Sequence, residues 1–305
     1  MTIFLMSNNK ERTFFKRIFY LVILVLFVCV PLRTIAYLAR EFILCTNRND
    51  TPIASYTHKD IPKRIHQVFF KVSNSSIQEK FTKGPESCRR RNPSYLYTLW
   101  NKTMVDEFIE NNYPDVKQLY DSYDHWVKRV DAAKYLVLFH FGGWYIDMDL
   151  ICKRSFDKLV TEANRKDANV IVHTTGPVGI SNDFFGISKH HPFLNDVINS
   201  LRHSNQQWYF LPYISTMFST GPTFFWGRYL NYPQKNDFYI TSNDSYYLDN
   251  LHGASWHSFD GVVIWYFFHN MSEYWICLLT LMLTIILLLC LRCRKRNSSL
   301  ETPEN

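Results

Sequence analysis

Apolar positions follow three patterns along the chain. Two uninterrupted runs, residues 18–32 and 275–291, carry no charged side chain. As helices they reach roughly 22 and 25 Å, slightly short of an average bilayer core but adequate for thinner early secretory membranes. They predict transmembrane helices over residues 18–38 and 273–291. A cleaved signal peptide is the alternative for the first run, but Pro31, Arg33 and Tyr37 leave no clean small-x-small site. Between the runs, short segments rich in β-branched and aromatic residues alternate with segments of helical period. Residues 61–70 and 95–100 predict strands, and residues 104–112 predict a helix that stops before Pro114.

The third pattern is the most informative. Val130, Ala133, Leu136, Val137 and Phe141 recur at helical spacing, and Gly142-Gly143 ends the helix with a residue able to adopt positive φ. Residues 144–151 read as one strand, and residues 169–173 as another. Helix, glycine break and strand in succession predict an α/β domain with a mainly parallel sheet. The resulting division is a tail (1–17), a span (18–38), a stem (39–60), one domain (61–272), a second span (273–291) and a tail (292–305). No internal repeat or low-complexity tract interrupts it.

Charge orients this arrangement. Lys10, Arg12, Lys16 and Arg17 precede the first span, and Arg292, Arg294, Lys295 and Arg296 follow the second, which predicts cytoplasmic tails and a lumenal domain. The formal net charge is +7, of which +3 belongs to residues 1–17 and +2 to residues 292–305. The remaining +2 excludes a polyanion-binding domain, so no nucleic-acid partner is expected. Asn49, Asn74, Asn101, Asn243 and Asn270 head glycosylation tripeptides, which suits the lumen. Of seven cysteines, only Cys45, Cys88 and Cys152 fall in the lumenal part, where one disulfide of undetermined pairing is expected. Cys290 and Cys293, at the membrane boundary, suit palmitoylation better than metal binding.

Candidate chemistry centres on Asp147 and Asp149. Two residues apart on a strand, their carboxylates point the same way, and like charges set together in an apolar segment call for a cation. Mn2+ or Mg2+, hard ions that leave positions open to phosphate, fit such a pair. A solvated strand end is the simpler alternative for an isolated Asp-x-Asp; the apolar surroundings and the double glycine favour the metal.

The segment Arg129-Val130-Asp131-Ala132-Ala133-Lys134-Tyr135, with Gly142-Gly143-Trp144-Tyr145-Ile146-Asp147-Met148-Asp149, resembles the signature of glycosyltransferase family 32. Residues 61–67 (IPKRIHQ), Asn182-Asp183 ahead of His191-Pro192-Phe193, Ser219-Thr220-Gly221-Pro222 and Gly253-Ala254-Ser255-Trp256-His257 extend the likeness over about residues 60 to 260. The last element and the second span most resemble inositol phosphoceramide mannosyltransferases within the family. The resemblance implies a GT-A-like nucleotide-sugar-binding fold and retaining sugar transfer. GDP-mannose would be the donor and a membrane sphingolipid headgroup the acceptor, with a regulatory membrane subunit as a further partner and the Golgi or endoplasmic reticulum membrane as location.

By the same resemblance, Asp147 and Asp149 bind the metal and through it the donor diphosphate. Asp131 and Lys134 hold donor sugar hydroxyls, where the family usually has Arg at the second position. Tyr145 belongs to the donor site, Ser255 and Trp256 close over the donor, and His257 is a candidate further metal ligand. The plain alternatives are a helix-surface ion pair for Asp131 and Lys134 and an exposed polar loop for His252 and His257. Arg89, Arg90 and Arg91 read as a solvated face, and Trp126, Trp208 and Trp226 as core or membrane-facing residues. A glycoprotein-glycan hexosyltransferase and a non-catalytic subunit of a glycosyltransferase complex are the competing functions.

Overall fold

A computed structural model of the chain describes residues 60–70, 80–174, 179–205, 211–241, 244–251 and 259–262. Both predicted spans lie outside the described residues. Among the described residues, no helix is long and apolar enough to cross a membrane. The chain divides into two compact units, one drawn from Met1–Gln206 and Thr216–Gly253 and the other from Gln207–Ser215 and Ala254–Asn305.

The first unit is built on a six-stranded sheet. In chain order its elements are β1 (Arg64–Val68), α1 (Lys80–Arg91), β2 (Leu96–Trp100), α2 (Lys102–Asn112), α3 (Pro114–Ser122), α4 (Trp126–Phe141), β3 (Gly143–Ile146), β4 (Leu150–Cys152), α5 (Asp157–Asn164), β5 (Val170–Thr174), β6 (Ile180–Ile187) and α6 (Pro192–Ser204). There follow α7 (Pro212–Ser219), of which only the part from Thr216 belongs to this unit, α8 (Pro222–Asn231), β7 (Phe238–Thr241), α9 (Asp244–Tyr247) and β8 (Leu248–Asn250). The sheet order is β2-β1-β3-β6-β5-β7, and β4 pairs separately with β8. Within the large sheet β6 runs antiparallel to both its neighbours and the other pairings are parallel, so the α/β, mostly parallel expectation holds.

Period-two alternation divides the core between the two faces of this sheet. Tyr145, Val170, Val172, Phe185 and Ile187 face a cluster that includes α4, α6 and α8. Trp144, Ile146, Ile171 and Phe184 face the other, with Cys88 of α1 and Leu159 of α5. Trp144 stacks between Phe156 and Phe184 at centroid distances of 4.7 and 5.2 Å.

The predicted helix and glycine break are both present. Gly142 and Gly143 adopt φ of 65° and 100°, and a Cβ on Gly143 would lie 2.7 Å from the Arg64 carbonyl oxygen. Only glycine lets the chain leave α4 and enter the sheet beside β1 at once. His66 secures the same junction: its Nε2–H donates to the Gly142 carbonyl at 3.2 Å, and its Nδ1 accepts from Trp100 Nε1 at 3.1 Å.

One expected strand is corrected. Residues 144–151 are not continuous: β3 stops at Ile146, and a turn over residues 147–149 leads into β4. The Asp147 N–H still donates to the Asp183 carbonyl at 2.8 Å, as the last rung between β3 and β6, and the Leu150 N–H then donates to the Asp147 carbonyl at 3.2 Å, closing a turn that takes the chain off the line of the sheet. Helix α1 has no counterpart in the sequence reading, because Gly84 and Pro85 interrupt its helical period. Its Cys88 is joined to Cys152 by a disulfide, which gives the pairing left open above; Cys45 lies outside the described residues.

In the second unit, Asp260 is buried and its carboxylate accepts the N–H groups of Tyr213 (3.0 Å) and Ile214 (3.2 Å), capping the first turn of α7.

Candidate active site

The C-terminal end of β3 delivers Asp147, and the turn that follows delivers Asp149. Both are partly buried. Three supports hold the turn. Gln67 on β1 donates through Nε2 to the Asp147 carbonyl at 3.2 Å, and Tyr97 on β2 donates to Gln67 Oε1 at 2.6 Å. The Leu251 N–H, just past β8, donates to the Asp149 carbonyl at 2.9 Å. Helix α1 lies directly beneath: a Cβ on Gly84 would meet the carbonyl oxygens of Met148 and Leu150, the latter at 2.8 Å.

Helix α4 presents Asp131 and Lys134 to the same region. Their side chains are 7% and 2% exposed and form an ion pair of 2.6 Å. The surface-pair alternative is therefore wrong: a buried pair at this position is not solvated and must be stabilised by its neighbours. Thr220 Oγ1 donates to the second Asp131 oxygen at 2.9 Å, and Asn182 Nδ2 donates to the first at 3.2 Å and to the Tyr135 hydroxyl oxygen at 2.7 Å. Tyr135 in turn donates to the Thr220 carbonyl at 2.7 Å.

Tyr145 joins the two halves. Its hydroxyl donates to Asp147 Oδ1 at 2.8 Å, and Lys134 Nζ stands 4.8 Å from its ring centroid. Burial and the Asp147 carboxylate push the phenol well above its ordinary value, so it remains a donor. Asp183 on β6 completes the cluster, with His173 Nε2 at 2.6 Å. Burial would raise the Asp183 carboxyl, but His173, Ser181 and Lys134 together outweigh it and hold the group below the usual carboxylate range.

The electrostatics are unbalanced. Lys134 faces Asp131, Asp147 and Asp183; burial lowers its pKa, and these carboxylates outweigh burial and hold it above the ordinary lysine value. Asp147 is raised to about 7: burial is the largest cause, Lys134 opposes it, and the nearby Asp149 and Asp183 charges add to it. Four carboxylates thus share a region with one buried ammonium, and a divalent cation would remove the conflict. The donor set is hard oxygen throughout, which fits Mg2+ or Mn2+. Among the described residues, no group of three or more His, Cys, Asp or Glu closes around a common point. An open set of this kind suits an ion completed by water and substrate phosphate oxygens.

The description "glycosyltransferase sugar-binding region containing DXD motif" matches residues 78–166, the stretch from α1 through the Asp147–Asp149 turn to α5. Inositol phosphoceramide mannosyltransferase 1 of Schizosaccharomyces pombe is 32% identical over 245 residues, which cover 76% of this chain and 73% of that protein. The chain belongs to the DXD-containing glycosyltransferase family. Two further relatives of the DXD-family chain are inositol phosphoceramide mannosyltransferase 2 of the same organism, 37% identical over 67% of this chain, and mannosyl phosphorylinositol ceramide synthase CSH1 of Saccharomyces cerevisiae, 35% identical over 66%. The match spans 61% and 54% of those two proteins respectively. Among solved structures, the UDP-bound glycosyltransferase domain of the YGT toxin overlaps 66% of this chain and 82% of its own at a TM-score of 0.46 and 9% identity, a distant likeness that adds nothing to the sequence relationship.

Of the residues singled out from the sequence, the fold gathers Asp131, Lys134, Tyr145, Asp147 and Asp149 in one region of the DXD-family chain. Ser255, Trp256 and His257 lie outside the described residues, as does Trp208. Trp126 and Trp226 are partly buried against the core, as expected. Arg89, Arg90 and Arg91 are exposed, with Arg89 4.8 Å from the Tyr97 ring centroid. Gln67, Tyr135 and His173 received no role from the sequence. Their signal was faint: polar atoms placed in otherwise apolar strands and helices.

Proposed function

We propose that the protein is a metal-dependent retaining mannosyltransferase that moves mannose from GDP-mannose to an inositol phosphoceramide headgroup. The observation that carries this reading is the buried Asp131–Lys134 pair set against the carboxylate-rich turn at the end of β3. The names of the relatives support mannose as the sugar and inositol phosphoceramide as the acceptor, and the resemblance to family 32 supports GDP-mannose as donor, retention and a GT-A-like fold.

On this reading, Asp147 and Asp149 would hold the divalent ion, Mn2+ or Mg2+, and through it the donor diphosphate. The bound ion supplies positive charge where negative charge grows as the glycosidic bond breaks. Tyr145 fixes one Asp147 oxygen by hydrogen bonding, leaving the other available. Asp131 accepts from donor sugar hydroxyls, and Lys134 donates to them as a compact point charge, without the planar fork of an arginine. Asn182 and Thr220 keep Asp131 oriented while it does so. The acceptor hydroxyl attacks the anomeric carbon from the face of the departing diphosphate; the carbon–phosphate-oxygen bond breaks as the new glycosidic bond forms, and the hydroxyl proton leaves with the diphosphate. The chain's contribution is to hold both partners on that one face of the anomeric carbon and exclude water. Ser255 and Trp256 close the donor site in this proposal, and His257 is a further metal ligand. The domain faces the lumen of the Golgi or endoplasmic reticulum, and a regulatory membrane subunit is a partner.

The test is transfer of radiolabelled mannose from GDP-mannose by the full chain in membranes, offered inositol phosphoceramide or a high-mannose glycan. Label is expected on the lipid, and Asp149→Ala is expected to reduce it at least 100-fold without loss of folded protein. Label on the glycan alone would refute the lipid acceptor.

A further inference from the structure

A concave site lies apart from the residues of the carboxylate turn. It is a cleft of about 310 Å3 where Lys158 and Glu162 of α5 face Tyr239 and Thr241 of β7 and Tyr246 and Tyr247 of α9. That volume is at the small end of ligand sites, which run from about 300 to 1,000 Å3. Strand β7 is the last strand of the large sheet, so the cleft opens at its margin.

The side chains here are ordered by one another. The Tyr239 hydroxyl donates to Glu162 at 2.7 Å, and Lys158 Nζ is 3.8 Å from the other Glu162 oxygen. Arg154 stands 4.0 Å and Lys158 5.6 Å from the Tyr246 ring centroid, and Lys166 stands 5.0 Å from that of Tyr239. Tyr246 is 38% exposed and Tyr247 only 4%, so one ring is presented to solvent and the other forms the wall. Lys158 and Glu162 are the charged side chains of the lining, and Arg154 and Lys166 stand against its tyrosine rings, so cations outnumber the carboxylate around the cleft and favour an anion. Aromatic faces favour the C–H face of a saturated ring, and a fixed carboxylate accepts from hydroxyls. Together these are the recognition elements of a phosphorylated polyol.

The cleft is also tied to the carboxylate turn. Thr241 is the register partner of His173, which contacts Asp183. From Tyr247 the chain runs straight into β8, where Leu248 pairs with Cys152 and Leu251 donates to the Asp149 carbonyl. The four residue steps from Tyr247 to Leu251 span at most roughly 13 Å.

We propose that this cleft binds a phosphorylated cyclic polyol, with phosphate on Arg154 and Lys158 and the ring against Tyr246. Identifying that polyol with the acceptor headgroup rests on the proposed function; the binding itself does not. Equilibrium dialysis of the full chain in detergent with radiolabelled inositol 1-phosphate tests it. Binding is expected to weaken at least tenfold in Tyr246→Ala and in Lys158→Glu and to persist in Tyr246→Phe and in Asp149→Ala. In the transfer assay, Tyr246→Ala is expected to raise acceptor KM about tenfold while donor KM and kcat move less than twofold. Equal binding by all variants, or loss in Asp149→Ala alone, would overturn the proposal, as would displacement by inorganic phosphate as effective as by inositol 1-phosphate. A chain that binds the polyol through Tyr246 but transfers no mannose would refute the proposed function and leave this site standing.

Discussion

Lys134 has the most to lose from a single change. Its ammonium is 2% exposed and answers the buried Asp131 carboxylate at 2.6 Å. Removing one partner of such a pair leaves an uncompensated buried charge, which costs about 3–5 kcal/mol. Thr220 and Asn182 still donate to Asp131, so the lower end applies to Lys134→Met. A loss of about 3 kcal/mol corresponds to a melting temperature roughly 6–12 °C lower for a domain of this size. Thermal denaturation of the full chain in detergent checks this, with Lys134→Arg expected to retain most of the stability. A shift under 2 °C for Lys134→Met would mean that the pair is hydrated. At this scale the sequence was informative about identity and poor about environment. The spacing of Asp131 and Lys134 is equally compatible with a surface pair and a buried one, and only the packing of β6 and the Thr220 segment over α4 decides between them. Asn182 and Thr220 stood within motifs already noticed, but nothing local in the chain assigns them to Asp131.

The carboxylate turn is held by elements distant in sequence, and α1 is the least expected of them. Gly84 sits so close to the Met148 and Leu150 carbonyls that a side chain has no room. Ser87 Oγ donates to the Gly84 carbonyl at 2.6 Å and accepts the Cys152 N–H at 2.9 Å, and one residue further on Cys88 is linked to Cys152. Backbone contact, hydrogen bonds and a covalent link therefore join α1 to the three residues that follow the turn. Gly84→Ala is expected to lower transfer by 10- to 100-fold through displacement of the turn, since a misplacement of about 1 Å can cost 100-fold, while the disulfide still forms. Rates measured beside a free-thiol count check this; unchanged activity would show that α1 gives way and the turn does not. The helix was illegible beforehand because Gly84 and Pro85, which break helical period in a sequence, are here the residues that permit close approach. The turn itself was misread as strand for a related reason. Its residues alternate as a strand should, and what ends the strand is not local: pairing with β6 stops after Asp147 meets Asp183, 36 residues away in sequence, and the Leu150 N–H then closes the turn on the Asp147 carbonyl. Long periodic elements such as α4, and strands bounded by clear turn residues such as β1, β2 and β5, were legible within a few residues.

At the scale of the whole molecule, the fold brings four aspartates from three separate stretches to one region and supplies one buried lysine to face them. The sheet order places β3 between β1 and β6, so Gln67 and Asp183 flank the strand that delivers Asp147. An α/β class was readable from the succession of helix, double glycine and strand; the reversal of β6 was not, because direction within a sheet leaves no mark on local sequence. On the proposed function, this excess negative charge binds a divalent ion together with a nucleoside diphosphate. The most direct measurement is calorimetric titration of GDP into the full chain, with Mn2+ and with EDTA, for the native protein and Asp149→Ala. GDP is expected to bind only with Mn2+ present, and Asp149→Ala to weaken it at least 100-fold. GDP binding of equal strength in EDTA, or undiminished in Asp149→Ala, would contradict this reading.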